Sequence, residues 1–202
     1  MNVMQTLLSE LVRRGVVLDR LRGLEMFASD GTSHVLDYCH QIASLEAWEL
    51  DPERFARLQR IPSIVARNVD SYEELARSGA VFDLIIIDAF IQSGRHIEHF
   101  DAFPGVLRLI GDEAVVIVNV VSDTAAARQQ FPRAFGEEHI QARCLFYGLA
   151  EDKVMDLQDF TTAYMRICQP HGLHVAWAFW LRRTTIHYFV FKVSRISVRT
   201  QD

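Results

Sequence analysis

The chain alternates between short runs of consecutive apolar residues and longer segments in which apolar residues recur every three or four positions. The short runs predict strands, and the spaced segments predict helices with one buried face. Strands are predicted at 24–28, 45–50, 63–69, 81–88, 113–121, 173–181 and 185–193. Helices are predicted at 1–21 with a break at Gly15, at 33–44, from Pro52 onward, and at 71–78, 96–109, 123–135 up to a break at Pro132, and 152–169. Segment 142–149 fits either a strand or a helix.

The run at 81–88 is the strongest strand signal in the chain. It is rich in isoleucine, as expected for a central parallel strand that is covered on both faces. The alternation of strands and helices predicts an α/β fold with a doubly wound, mostly parallel sheet. The last two predicted strands are separated by a short turn at 182–184, so we expect them to form a C-terminal antiparallel hairpin at the end of the sheet.

Length and composition narrow the class of protein. The 202 residues predict a single domain over 1–202, with the helical segment 1–21 first and a polar tail at 194–202. A net charge of −5 gives no general attraction to nucleic acid or to an anionic membrane. No apolar run approaches the roughly 18 residues of a membrane span, and 1–15 lacks a signal-peptide pattern. Three widely spaced cysteines favour a reducing compartment, so we expect a cytoplasmic protein.

Acidic residues accompany the first four predicted strands. They are Glu25, Glu49, Asp70 and Asp88. Because parallel strands end at the same edge of a sheet, we expect these carboxylates along the edge where such sheets bind ligands. A structural role as a strand or helix cap is the alternative for each acid taken alone.

The turn after the first strand is the candidate ligand-binding turn. Segment 22–53 has the strand–turn–helix–strand layout of a nucleotide-binding unit, with the acids Glu25 and Glu49 set 24 positions apart. Such a turn usually carries three glycines, which permit positive φ and a close approach of the backbone to the ligand. Here Gly31 is accompanied by Phe27 and Ser29 in the other two places. The Phe27 side chain either leaves the pocket open, by pointing into the core or along the ligand, or fills the pocket and abolishes binding.

Four motifs resemble those of the class I S-adenosylmethionine-dependent methyltransferases. LEMFASDGT at 24–32 occupies the place of the glycine-rich first motif, and WELDPE at 48–53 looks like the acidic loop after the second strand. NVDS at 68–71 falls where the adenine is contacted, and FDLIIIDA at 82–89 matches the fourth-strand motif. The resemblance covers 22–121 and, more loosely, the closing hairpin. It implies a Rossmann-like sheet of seven strands, mostly parallel, with the last strand antiparallel.

The resemblance also implies a cofactor and its contacts. Glu49 would accept hydrogen bonds from the two ribose hydroxyls of S-adenosylmethionine. Glu25 and the backbone of 29–31 would hold its amino acid portion, and Asp70 with Ser71 its adenine. The full set of expected cofactor-binding residues is Glu25, Phe27, Ala28, Ser29, Asp30, Gly31, Glu49, Leu50, Asp70, Ser71 and Asp88.

Two residues are candidates for direct chemistry. Asp88, at the end of the central strand, is placed to act as a base or to orient the acceptor, although capping of the following turn is the alternative. His96 is the second candidate base. Metal binding by His96 and His99, or by His171 and His174, is disfavoured because neither pair belongs to a recognised ligand set. We therefore expect no metal site.

Within the superfamily, the fourth-strand motif and VIVNVV at 116–121 are similar to the spermidine-synthase-like branch. That branch includes aminopropyltransferases, which use decarboxylated S-adenosylmethionine and follow the fourth-strand acid with a second acid and a proline. This chain departs from the pattern, because Ala89 and Phe90 follow Asp88. A polyamine-binding pair of carboxylates is therefore not evident.

The leading hypothesis is methyl transfer from S-adenosylmethionine to a small-molecule acceptor. Aminopropyl or other alkyl transfer from a related sulfonium donor is the first alternative, and a Rossmann-like module that binds a ligand without turnover is the second. The hairpin aromatics, of which Trp177, Phe179 and Trp180 are examples, are expected in the core. A homodimer interface is the functional alternative for them.

Overall fold

The computed structural model of the chain describes residues 3–32, 34–88, 99–150, 156–182 and 185–196. Its strands form a seven-stranded sheet in the order β3-β2-β1-β4-β5-β7-β6. They are β1 (Arg22–Met26), β2 (Ser44–Glu49), β3 (Ile64–Asn68), β4 (Phe82–Ile87), β5 (Ile110–Val121), β6 (Leu173–Arg182) and β7 (Ile186–Arg195). The first five strands run parallel, and β7 runs antiparallel to both β5 and β6. The predicted doubly wound sheet with its closing hairpin is confirmed.

Helices connect the strands. They are α1 (Val3–Arg13), α2 (Val35–Tyr38), α3 (Pro52–Leu58), α4 (Ser71–Arg77), α5 (Phe103–Val106), α6 (Ala125–Gln130), α7 (Glu137–Tyr147) and α8 (Leu157–Cys168). Two of them are shorter than the sequence predicts. In place of the helix predicted at 33–44, the structure has α2 followed by a 3₁₀ turn at Cys39–Gln41, and β2 begins at Ser44. The helix predicted at 96–109 is represented by α5 and a 3₁₀ turn, with 89–98 outside the described residues.

Segment 142–149, which the sequence left ambiguous, lies largely in α7. This helix ends at Gly148, which has the left-handed conformation that commonly terminates helices. Strand β5 begins three residues before its predicted start at 113. Among the described residues, none of the helices combines the length and apolar character that crossing a membrane requires.

Aspartates fix the starts of three helices. Asp51 accepts hydrogen bonds from the amides of Glu53 and Arg54 at the start of α3, and Asp70 caps α4 in the same way. Asp156 begins α8 with a reciprocal capping box. Each cap satisfies backbone amides that have no partner inside the helix, an interaction typically worth about 1 kcal/mol.

The sheet is covered by a core on each face. The first core packs the buried face of α1, which carries Leu7 and Leu11, against Leu84 and Ile86 of β4. The second core packs α5 and α8 on the opposite face, which carries Ile85 of β4. Strand β4 is therefore buried on both sides, as its continuous apolar run predicts.

The aromatic residues of the hairpin are divided between these two cores. Phe189 and Phe191 are fully buried in the second core, whereas Tyr188 and Phe179 belong to the first. Two tyrosines of the helical layer, Tyr147 and Tyr164, pack around His99 in the second core. The expectation that the hairpin aromatics are core residues is confirmed for Phe179, Tyr188, Phe189 and Phe191.

Gly31 provides a test of how tightly the first turn is packed. Its φ is +78°, and a Cβ added there would collide with side-chain atoms of Leu58 and Ile61. We expect Gly31→Ala to lower the free energy of unfolding by about 2–4 kcal/mol, because left-handed strain and overpacking add. Gly15 has a φ of +82°, and a Cβ added there would meet no atom within 4 Å. Gly15→Ala therefore measures the left-handed backbone strain without overpacking, and it should lower the free energy of unfolding by about 1 kcal/mol. Urea unfolding measures both.

Gly79→Ala is the matched control for this pair, since its Cβ meets nothing within 4 Å. We expect it to leave the free energy of unfolding unchanged or to raise it slightly, because alanine restricts the unfolded chain. Equal effects of Gly31→Ala and Gly15→Ala would contradict tight packing at the turn.

Candidate functional site

The candidate site lies where the sheet changes direction. Strands β2 and β3 lie on one side of β1, whereas β4 and β5 lie on the other. Open α/β sheets bind ligands at such a switch point, beyond the carboxyl ends of the strands. Met26 pairs with Ile87 across β1 and β4, so the next residues, Phe27 and Asp88, leave the sheet side by side.

The first turn keeps a left-handed backbone although two of its residues are not glycine. Phe27 has a φ of 60° and Ser29 a φ of 55°, close to the 78° of Gly31. Left-handed geometry costs a non-glycine residue roughly 1–2 kcal/mol. Between Phe27 and Ser29, the amide of Ala28 donates a hydrogen bond of 2.9 Å to the carbonyl oxygen of Trp48 in β2. The turn therefore follows the path that a glycine-rich loop would take, held by the pairing of β1 with β2.

The Phe27 side chain packs against the second core. Its ring lies 5.4 Å, centroid to centroid, from the ring of Tyr72 in the first turn of α4. The side chain is half-buried. Of the two alternatives that the sequence left open, the structure shows the ring directed toward the core.

A buried cluster of charges joins the first turn to the end of β4. His34 Nε2 lies 3.0 Å from Glu25 Oε1 and 3.2 Å from Asp88 Oδ2. The hydroxyl of Tyr38 donates to the other oxygen of Glu25. Asn119 of β5 donates from Nδ2 to Asp88 Oδ1 over 2.6 Å. The cluster therefore links β1, α2, β4 and β5 at the carboxyl edge of the sheet.

His34 is the cation of this cluster. Burial alone would lower the pKa of its imidazole, but the adjacent Glu25 carboxylate and the charges of Asp88 and Asp37 outweigh burial and raise it to about 9. The side chain is therefore an imidazolium at neutral pH. Burial and the neighbouring Glu25 raise the pKa of Tyr38 well above 10, so its hydroxyl stays protonated and donates. Pairing of this kind offsets the large cost of removing charges from water.

Glu49 ends β2 with a buried carboxylate. Its Oε1 accepts the amide hydrogen of Asp51 over 2.8 Å, and the residue is 7% exposed. Its Oε2 has no hydrogen-bond partner in the part of the chain that the structure describes. Leu50, the next residue, is 61% exposed. The end of β2 therefore offers an acceptor oxygen beside an apolar surface.

Asp70 and Asp30 make hydrogen bonds with residues that follow closely in the sequence. Asp70 caps α4, and Ser71 is buried at the first position of that helix. Asp30 accepts hydrogen bonds from the hydroxyl and the amide of Thr32, which lower the pKa of its carboxyl. Of the four acids that the sequence places on this edge, the structure brings Glu25 and Asp88 together through His34.

The candidate metal-binding histidines lie in different surroundings. His96 falls outside the described residues. His99 is fully buried, with Nε2 2.5 Å from the hydroxyl of Tyr164. His171 and His174 are exposed. Across the described ranges, no group of three or more His, Cys, Asp or Glu is arranged to hold a metal ion.

Sequence reasoning missed two members of the charge cluster, Tyr38 and Asn119. Tyr38 lies 13 positions from Glu25, and Asn119 lies 31 positions from Asp88. No spacing rule connects residues so far apart. The packing of α2 on the sheet brings Tyr38 to Glu25, and the pairing of β4 with β5 brings Asn119 to Asp88. His34 follows the first turn directly in the sequence, but the sequence does not assign its two carboxylate partners.

The cluster predicts a pH-dependent contribution of His34 to stability. Because the pKa of His34 is raised from 6.5 to about 9 on folding, its contribution is complete below about pH 6.5 and is lost as the pH rises through 9. We expect His34→Gln to lower the free energy of unfolding by about 3 kcal/mol near pH 6, since two carboxylates lose their cation. The deficit should shrink toward pH 9.5. Urea unfolding across this range measures it.

The exposed His174 supplies the control variant, His174→Gln. We expect it to follow the wild-type stability at every pH, because an exposed charge is screened by solvent. A deficit of His34→Gln that is independent of pH would show that His34 acts by packing and not as a cation.

No family model matches this sequence, and no curated protein sequence matches it either. Solved structures do match. TYW2 from M. jannaschii, crystallised in complex with AdoMet, is 11% identical, with a TM-score of 0.56 over 94% of this chain and 76% of that protein. The N-methyltransferase NodS from Bradyrhizobium japonicum WM9 is 12% identical, with a TM-score of 0.56 over 96% and 97%.

A third similar structure is magnesium protoporphyrin IX methyltransferase (ChlM) from Synechocystis PCC 6803 with bound SAH. It is 12% identical, with a TM-score of 0.57 over 95% of this chain and 81% of that protein. At such low identity the likeness concerns the fold alone. The chain has the fold of the class I S-adenosylmethionine-dependent methyltransferases.

Proposed function

We propose that this protein binds S-adenosylmethionine at the switch point of the sheet and transfers its methyl group to a small-molecule acceptor. The left-handed backbone at Phe27, Ser29 and Gly31 carries the proposal. Two residues other than glycine hold a strained conformation there, and backbone strain of this kind concentrates at ligand sites. The shared fold supports the proposal, because the similar structures include TYW2 in complex with AdoMet and the methyltransferase ChlM with bound SAH.

The residues at the end of β2 fit the nucleoside. Glu49 has one carboxylate oxygen committed to the amide of Asp51, which leaves Oε2 to accept hydrogen bonds from ribose hydroxyls. The exposed side chain of Leu50 provides an apolar surface beside it. The first turn of α4, at Asp70 and Ser71, would contact the adenine.

The charge cluster fits the sulfonium end of the cofactor. Glu25 and Asp88 with the His34 imidazolium carry one net negative charge, which favours a cation such as a sulfonium. Both oxygens of Glu25 are engaged by Tyr38 and His34. Glu25 would therefore act on the cofactor through its charge and through the position of His34.

Methyl transfer is an in-line displacement that depends on orientation and the exclusion of water more than on a strong acid or base. Asp88 is 22% exposed in its side chain and is held by His34 and Asn119. A carboxylate fixed in this way can orient an acceptor. A base is needed only for an acceptor that arrives protonated, and His96 remains the predicted candidate for that role.

A donor comparison separates methyl transfer from its alternatives. Tighter binding of decarboxylated S-adenosylmethionine than of S-adenosylmethionine would favour aminopropyl transfer, as in the spermidine-synthase-like branch. Binding of S-adenosylmethionine and S-adenosylhomocysteine without methyl transfer to any of a panel of small acceptors would favour a binding module. Isothermal calorimetry and a methyl-transfer assay provide these readouts.

Glu49 supplies the sharpest test of the cofactor site. We expect Glu49→Ala to weaken S-adenosylhomocysteine binding roughly 10- to 100-fold, because the ribose hydroxyls would lose their hydrogen bonds to a charged acceptor. Glu49→Gln keeps an oxygen for the Asp51 amide but lacks the charge, so it should weaken binding by about tenfold. Calorimetry measures both, and thermal melting confirms that the variants fold.

Glu53→Ala is the matched control, because it removes an exposed acid four residues away. It should bind S-adenosylhomocysteine like the wild type. Absence of binding heat with either cofactor form, or equal affinities for wild type and Glu49→Ala, would refute the cofactor site.

A further inference from the structure

A cavity lies at the carboxyl end of β5, at the same edge of the sheet as the proposed cofactor site. Its volume is about 210 Å³, and five consecutive residues, 120–124, are among those that line it. The first of these lining residues, Val120, follows directly after Asn119, the residue that donates a hydrogen bond to Asp88. The end of β6 and the start of β7 complete the rim through Arg182 and His187. The cavity therefore adjoins the proposed cofactor site on the β5 side.

The charges that line this cavity are mostly positive. Arg143 of α7 and Arg182 of β6 both line it. The acid in the lining, Asp123, is paired in two contacts of 2.9 and 3.0 Å with Arg128. Because the chain as a whole has a net charge of −5, two arginines at one small cavity mark a local preference for anions. Guanidinium groups match carboxylates geometrically and electrostatically.

One wall of the cavity is flat and aromatic. The ring of His187 stacks on Trp180 with centroids 4.8 Å apart and an interplanar angle of 15°. Ser122 Oγ lies 2.9 Å from His187 Nδ1 and holds the imidazole in this orientation. Burial, followed by the charge of Arg182, lowers the pKa of His187, so the imidazole is neutral at pH 7. Buried Phe160 adds a further ring.

We propose that this cavity is the acceptor site and that the acceptor is a small aromatic carboxylate. The ring would lie against the wall formed by the stacked His187 and Trp180 and by Phe160, and the carboxylate would be bound by Arg143 and Arg182. A volume of about 210 Å³ accommodates a single ring with a short substituent. The acceptor role rests on the proposed methyltransferase function, whereas the preference for an anion rests on the cavity alone.

Benzoate and benzamide are the probes, since they have the same shape and differ in charge. The full chain is titrated with each probe, and binding is measured by saturation-transfer NMR of the probe. We expect benzoate to bind at least tenfold more tightly than benzamide. Arg182→Met and Arg143→Met should each weaken benzoate roughly tenfold, the loss expected for one charge-assisted contact, and leave benzamide unchanged. Arg60→Met, which removes an exposed arginine elsewhere, should bind benzoate like the wild type.

Equal affinities for benzoate and benzamide would overturn the proposal, as would the absence of benzoate binding up to about 10 mM. Equal weakening by Arg60→Met would overturn it too, because the effect would then come from net charge. Arg182 is exposed, so its replacement tests the cavity even if Arg143→Met fails to fold.

The titrations are made without any cofactor, which separates this inference from the proposed function. Arginine-dependent benzoate binding in a protein that fails to bind S-adenosylhomocysteine would support the anion site and refute the acceptor role. Normal S-adenosylhomocysteine binding without the preference for benzoate would refute the anion site alone.

Discussion

The His34 imidazolium between Glu25 and Asp88 ties together the elements that meet at the switch point. It connects β1, the start of the following helix and the end of β4, and Asn119 extends the connection to β5. Charges buried this deeply persist only when each has a partner. The cluster therefore constrains the geometry of the whole carboxyl edge, where the turn and the acids must keep fixed relative positions.

The first turn shows how a ligand loop keeps its shape without its usual glycines. Phe27 and Ser29 hold positive φ values at a cost of roughly 1–2 kcal/mol each. The pairing of Ala28 with β2 and the packing of Phe27 on Tyr72 offset that cost. At Gly31 the φ of +78° favours glycine, and an added Cβ would displace the terminal methyl groups of Leu58 and Ile61. Tertiary contacts thus maintain a left-handed backbone at Phe27 and Ser29, two residue types that do not favour this conformation by themselves.

The carboxyl edge of the sheet is divided electrostatically. Around β1 and β4 the buried cluster carries one net negative charge, whereas the cavity at β5 and β6 is lined by two arginines. A cationic donor and an anionic acceptor would be drawn to different halves of one edge. If the proposed donor and acceptor bind there, such a division would orient the two molecules toward each other, and orientation is the main demand of a displacement reaction.

The sequence by itself determined the α/β class, the closing hairpin and the central position of β4, because hydrophobic periodicity reports local structure and burial directly. It also placed Glu25, Glu49, Asp70 and Asp88 along one edge, because parallel strands end together. Only the tertiary structure showed which groups meet there. Tyr38, Asn119 and the cavity residues Arg143 and His187 come from separate elements. The strand pairing and helix packing that bring these elements together leave no trace in sequence spacing. The direction of the Phe27 side chain was likewise settled by the packing of α4 and not by the turn itself.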